Sequence, residues 1–311
     1  MLCALGIGSL LSRPASAMPP LARSASGVYV GGARSSDFAR FSSWLGMRPA
    51  HVLSFLDDTS WRSIENPRWV IRLSAHSHAR LVLSVPMLPA YGDTLAQGAT
   101  GVYDEHFRRL AKVLRAGGKS HAILRLGWEM NGDWFPWSIH YGNAANYVAY
   151  FRQIVTTMRG VSRHFQFDWC VGNGSSWASS SVLNAARGYP GNAYVDYIGM
   201  DIYDQSWVAN AGSEVSRWHG YVTARYGLRW QRAFARAHHK PITFPEWGLM
   251  AGGHGGGDST AFVKDMYGWM ARGHPAYQMY FDFSNSVLSD FPASAAVYRQ
   301  LFGAVGASIH G

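Results

Sequence analysis

Cysteine is almost absent from this chain. Its 311 residues hold two, Cys3 and Cys170, too few for a disulfide framework or a four-ligand zinc site. Cys3 falls in a leader described below, which leaves Cys170 as a lone thiol. Lysine is nearly as scarce: Lys112, Lys119, Lys240 and Lys264 are the only four. Most of the basic side of the formal charge of +9 is therefore arginine, set singly or in pairs such as Arg108-Arg109. Without a basic run no nucleic-acid partner is expected. The charge fits an exported enzyme held near anionic polymers, and equally a plain arginine bias. No stretch reaches the roughly 18 unbroken apolar residues of a membrane span. Dinucleotide and P-loop motifs are missing, as is the G-x-S-x-G elbow of serine hydrolases. His76, His78, His238, His239 and His254 have no carboxylate or thiol at zinc spacing, so neither a metal nor a cofactor is expected.

What the chain does hold is apolar and aromatic, 48% and 14% of the residues, enough for one large packed core. Residues 1–11 form an apolar run that leads through Arg13-Pro14 to Ala15-Ser16-Ala17, the small-x-small pattern of a signal-peptidase site. The expectation is a secretory leader over residues 1–17 and a single catalytic domain over 18–311, a monomer, secreted or periplasmic.

Short β-type runs alternate with segments of helical period, the pattern of βα units. The runs are 28–30, 51–55, 81–85, 123–126, 165–171, 197–201, 241–244 and 277–283. Between them, helices are expected at 103–115, where Phe107, Leu110, Ala111 and Leu114 recur at helical spacing, and at 144–158, with Tyr147, Phe151, Ile154 and Met158. Others are expected at 37–45, 225–237, 259–272 and 293–302, and a short one, broken at Gly188-Tyr189-Pro190-Gly191, after the fifth run. Eight strand–helix pairs in one chain predict a (β/α)8 barrel. The glycine-rich stretch 252–257 reads as a mobile loop at its mouth.

In such a barrel the reacting groups stand at the C-terminal ends of strands. Strand four runs into Gly127-Trp128-Glu129-Met130-Asn131-Gly132-Asp133-Trp134-Phe135-Pro136-Trp137, and strand seven into Pro245-Glu246-Trp247-Gly248. A glutamate set among Phe, Trp and Pro is costly unless it is hydrogen-bonded or functional. Two of them across one barrel mouth can face each other, and glycosidic bond cleavage needs such a pair: one carboxyl protonates the leaving oxygen, the other attacks or supports the anomeric carbon. Trp134, Trp137, Trp177, Trp207 and Trp247 are candidate platforms for sugar rings. Asn131, Asn173, Ser175, Asp57 and Asp201 are candidate ligands for sugar hydroxyls, and Arg125 either pairs with a glutamate or binds an acidic sugar.

These segments resemble glycoside hydrolase family 26, retaining clan A barrels best known as endo-β-mannanases. The likeness runs from Gly27-Val28-Tyr29-Val30-Gly31 through Trp44-Leu45-Gly46 and Phe55-Leu56-Asp57-Asp58 with Trp61. It is densest at Glu129-Met130-Asn131-Gly132-Asp133-Trp134-Phe135. It resumes at Val195-Asp196-Tyr197-Ile198-Gly199-Met200-Asp201-Ile202-Tyr203 and ends at Lys240-Pro241-Ile242 and Glu246-Trp247-Gly248. The resemblance implies that Glu129 is the acid/base, with a raised pKa, and Glu246 the nucleophile, that Tyr203 hydrogen-bonds Glu246, and that Trp134 lines the cleft near the cleavage point. Two positions depart from the family: Trp128 stands where a histidine is usual, and Tyr280-Phe281-Asp282-Phe283 where strand eight commonly has a tryptophan. Both bear on the sugar accepted more than on the chemistry. The expected activity is retaining endo-hydrolysis of a β-linked, mannan-like polysaccharide. The alternatives are an acidic bacterial exopolysaccharide as substrate, or a non-catalytic glycan-binding barrel.

Overall fold

Eight parallel strands close into one barrel in chain order: β1 Gly27–Tyr29, β2 His51–Phe55, β3 Arg80–Val85, β4 Ile123–Leu126, β5 Gln166–Gly172, β6 Tyr197–Tyr203, β7 Ile242–Gly248 and β8 Gln278–Phe281. The computed structural model describes residues 21–31, 35–139, 143–174, 185–205 and 212–304. The expected leader with Cys3, and Ser175, Trp177 and Trp207, lie outside these. Among the described residues the helices are α1 Ser35–Leu45, α2 Trp61–Ile64, α3 Arg68–Ser77, α4 Leu95–Ala99, α5 Asp104–Ala116, α6 Ala144–Val161, α7 Glu214–Thr223, α8 Leu228–Ala237, α9 Thr260–Gly273 and α10 Pro292–Phe302. None is long and apolar enough to cross a membrane.

The two firmest helical patterns bury the faces their spacing predicts. Phe107, Leu110, Ala111 and Leu114 of α5 are buried, as are Tyr147, Phe151, Ile154 and Met158 of α6. Tyrosines on α6 also reach the barrel rim: the Tyr147 hydroxyl donates to the Gly127 carbonyl at 3.0 Å and that of Tyr150 to the Met87 carbonyl at 2.7 Å. Each hydroxyl satisfies a backbone oxygen where a strand ends, so burying α6 also fixes the segments that follow β3 and β4.

The main irregularity lies in β7. Between the pairs Gly199↔Thr243 and Ile202↔Trp247, β6 advances by three residues and β7 by four; between Phe244↔Gln278 and Trp247↔Tyr280, β7 advances by three and β8 by two. On both sides β7 carries one residue more than its neighbour, a bulge that contains Pro245. Side chains alternate along a strand, and Thr243 faces the barrel interior, where it donates to Asp168 at 2.6 Å. A regular strand would turn Glu246 outward with Phe244. The extra residue reverses that parity and aims Glu246 inward. The sequence pattern ends this strand at Phe244 because a proline follows, whereas the strand continues through the bulge to Gly248.

Candidate active site

The segment after β4 departs from extended geometry at once. Gly127 and Glu129 both have a φ near +53° and +52°. For Glu129, a residue with a Cβ, this left-handed backbone costs about 1–2 kcal/mol, and the surrounding bonds hold it there. The Glu129 amide donates to the Cys170 carbonyl at 3.0 Å and its carbonyl accepts from Gly132 at 2.9 Å. Asn131 clamps the same loop to β5 through two bonds of 2.9 Å, one to the Gly172 carbonyl and one from its amide. The Trp134 ring lies so close over Gly132 that a Cβ there would stand 2.0 Å from it. Its indole Nε1 donates to Glu129 Oε2 at 3.1 Å.

Glu246 enters from the opposite wall. It accepts from Arg125 Nη1 and, at 2.6 Å, from the Tyr203 hydroxyl. Arg125 rises from β4 inside the barrel and is wholly buried. It also donates to Asp201 and, at 2.9 Å, to Ser84 Oγ, while its guanidinium lies 5.3 Å from the centre of the Trp128 ring. One guanidinium therefore serves two carboxylates, and Glu129 is a third acid at the same place. Its pKa is pushed up to about 7, by burial first and then by the negative charge of Glu246; Arg125 and the Trp134 bond oppose the shift. Tyr29, at the end of β1, senses the same charge: burial and Glu246 push its hydroxyl up to about 12. Truncation of Arg125 to Met leaves Asp201 and Glu246 without a counter-charge and is expected to lower stability by about 3–5 kcal/mol, read as the midpoint of denaturant unfolding.

These groups open onto a cleft of about 380 Å³ lined by Glu129, Trp134, Tyr203 and Glu246, with Gln205 and Met250 from the ends of β6 and β7. The segment after β8 closes one side with Phe281, Phe283 and residues 284–286. Trp134 and Phe283 are the exposed rings here, at 39% and 45%. The glycine-rich loop after β7 is tied to β6 at the cleft edge: Gly255 bridges to Gln205, and the Gly256 amide donates to the Asp204 carbonyl at 2.7 Å.

Several expected contacts lie elsewhere. Trp137 and Trp247 are core residues, not sugar platforms. Both are fully buried, Trp137 with its Nε1 on the Trp128 carbonyl and Trp247 with its Nε1 on Gln278. Trp128 is buried over Arg125 and against Phe55 and Trp137. Asn131 and Asp201 spend their polar atoms inside the protein, and Asn173 donates to the Tyr221 carbonyl. Arg125 pairs with Glu246 and Asp201, so of its two expected uses it has the structural one. Asp57 is exposed and closes its own turn by accepting from Thr59, whose bonds also lower its pKa. Sequence reasoning missed Gln205, Met250 and Asn285, whereas Phe283 falls in the strand-eight segment already expected to bear on the sugar accepted. The three missed residues follow strand ends, where neither period nor motif marks them.

A closed parallel (β/α)8 barrel with two glutamates converging from β4 and β7, one holding a proton and the other a guanidinium and a phenol, is built for acid–base and nucleophilic work on one bond. The family model for glycosyl hydrolase family 26 matches residues 108–226. Endoglucanase H of Acetivibrio thermocellus is 28% identical over 229 residues, 66% of this chain and 22% of that protein. A mannan endo-1,4-beta-mannosidase of Bifidobacterium adolescentis is 32% identical over 91 residues, 29% of this chain and 9% of its own length. The chain thus spans about a fifth or less of the curated relatives it matches. Among solved structures, the catalytic domain of an endo-beta-1,4-mannanase from Bacillus sp. JAMB-750 superposes with a TM-score of 0.64 at 16% identity, covering 92% of this chain and 87% of that one. A modular endo-beta-1,4-mannanase from Cellulomonas fimi gives 0.61 at 21%, covering 82% and 65%. Over residues 108–226, from α5 through α7, the chain is thus similar to glycosyl hydrolase family 26, and its barrel is the fold of the solved mannanases.

Proposed function

We propose that this protein hydrolyses the internal linkages of an uncharged β-linked polysaccharide, of the mannan or glucan class, with retention at the anomeric carbon. Glu246 attacks that carbon while Glu129 donates its proton to the departing oxygen. Glu129 then takes a proton from the water that releases the sugar. Arg125 and Tyr203 hold Glu246 in place and disperse its charge, and Trp134 orients Glu129 and offers a ring face to a sugar. The observation that carries this reading is the pair itself: Glu129 with its pKa pushed up to about 7, facing the charge of Glu246 across one cleft. The relatives support the substrate class, being named as an endoglucanase and as mannanases.

An uncharged substrate is favoured over an acidic one by the cleft's own chemistry. Its described lining holds two glutamates and no Lys or Arg, and Arg125 is buried and already shared by two carboxylates. Residues 175–184 and 206–211, which follow β5 and β6, contain no charged side chain. A uronate there would meet like charge without a cationic partner. Release of reducing ends from mannans, mixed-linkage glucan, xylans and acidic exopolysaccharides tests this. Activity on mannan or glucan, and none on acidic polymers, is the expected result. Activity confined to an acidic polymer would overturn the substrate class, and silence on all four with intact fold would favour a glycan-binding barrel.

A further inference from the structure

The end of the barrel opposite the cleft carries a second depression, of about 630 Å³. It lies where β3 and β5 begin and α6 ends. Arg80, Arg159 and Arg163 line it together with His121 and His164, and Asp196 is the one carboxylate among the lining residues. Arg159 occupies that carboxylate at 3.0 Å. Arg80 and Arg163 have no acidic partner among the described residues. Arg80 and Arg159 are also held in place by neutral acceptors, among them the Gln166 amide oxygen, which accepts from Arg80 Nη2. Arg80 Nε donates to the His121 carbonyl at 3.0 Å and Arg159 Nη1 to the Ala193 carbonyl at 2.6 Å. A further guanidinium, Arg115, binds the Val161 carbonyl at the end of α6 at 3.0 Å. The His121 and His164 rings stack at 4.6 Å on the rim, exposed together with Arg163.

Backbone carbonyls satisfy part of the hydrogen bonding of Arg80 and Arg159 without adding negative charge, so the three lining guanidiniums share the single carboxylate of Asp196. Three such charges facing one carboxylate repel one another, and an anion seated among them would relieve that repulsion. Guanidinium groups fixed before binding lose little freedom when they take an oxyanion, and their planar forks match its geometry. Glycosidic bond cleavage at the other end of the barrel makes no use of these residues. We propose that this depression is an anion site that takes phosphate groups, so that the enzyme can be held on a phosphate-bearing polymer while its cleft remains free.

The test uses the full chain at constant ionic strength, with inorganic phosphate, pyrophosphate and long-chain polyphosphate as probes in titration calorimetry. Saturable binding of pyrophosphate is expected, weakened about tenfold or more by Arg163→Glu combined with His164→Ala. Both residues are exposed, so the fold and the cleft activity should be unchanged. Polyphosphate binding more tightly than pyrophosphate identifies the polymer as the natural ligand class, and equal affinities identify a small free anion. Absence of saturable binding overturns the site, as does binding that the double variant leaves intact. Reducing-end release measured in parallel keeps this result separate from the hydrolase reading, since the site and the cleft can each fail alone.

Discussion

Glu246→Ala is expected to lower kcat by at least about 10⁴-fold, roughly 5.5 kcal/mol of transition-state stabilisation, and to leave the protein folded. The charge balance beneath the cleft explains why both should hold. Arg125 serves Glu246 and Asp201 together. Removal of Glu246 leaves one guanidinium with one carboxylate, a neutral pair, whereas removal of Arg125 strands two negative charges. Under the proposed mechanism the vacated side-chain volume would face the anomeric carbon, so a small nucleophile such as azide should restore turnover and yield a glycosyl azide of inverted configuration. The charge of Glu246 is also one cause of the raised pKa of Glu129. In Glu246→Gln the Glu129 carboxyl should therefore titrate lower than in the native protein, which carboxyl-labelled NMR would follow. A loss of turnover below about tenfold in Glu246→Ala would remove it from the nucleophile's place.

Glu129→Gln should separate substrates by leaving group. A general acid contributes about 10²–10⁴-fold where the departing oxygen needs a proton, so hydrolysis of the polysaccharide should fall by that factor. An aryl glycoside with a good leaving group should pass its first step nearly unaided, then accumulate the glycosyl-enzyme because the water is no longer deprotonated. A burst of phenolate followed by a slow steady rate is the expected trace. Native kcat/KM should fall as pH rises above about 7, where Glu129 loses its proton, and this limb should be absent in Glu129→Gln. Stability follows the same proton. The unfolded chain releases it near 4.5 and the folded protein near 7. The folded state thus binds more protons across that interval, and stability declines as pH rises through it. Glu129→Gln removes the decline and should raise the melting temperature above pH 7 while leaving it little changed below pH 4.5. Equal loss of rate on all substrates, with the alkaline limb retained, would count against the acid role.

Much of this was readable from residue order because strands and motifs coincide. The eight β-type runs and the two strongly periodic helices lie where the structure has them, and Glu129 and Glu246 were recognisable as carboxylates that a strand end presents among aromatics. What order alone did not resolve was depth. Trp134, Trp137 and Trp247 look alike in sequence, yet one stands at the cleft and two are core, because that difference is decided by what packs against each: Trp128 and Phe135 against Trp137, and Tyr298 and Phe302 of α10 against Trp247. Arg125 was open between two uses, and only the positions of Asp201 and Glu246 across the barrel fix it as an ion-pair partner. The bulge in β7 was hidden because Pro245 reads as a strand end. Helix α3 was not singled out, since its apolar positions are broken by Arg68, Arg72 and His76.

The central claim is that Glu246 forms a covalent bond to the sugar while Glu129 carries the proton, and the stereochemistry of the first product tests it most directly. Proton NMR during hydrolysis of a soluble β-linked oligosaccharide should show the β-anomer of the new reducing end appearing first, with the α-anomer following by mutarotation. The α-anomer appearing first would mean that water attacks the sugar directly, and would contradict the assignment of Glu246 as nucleophile.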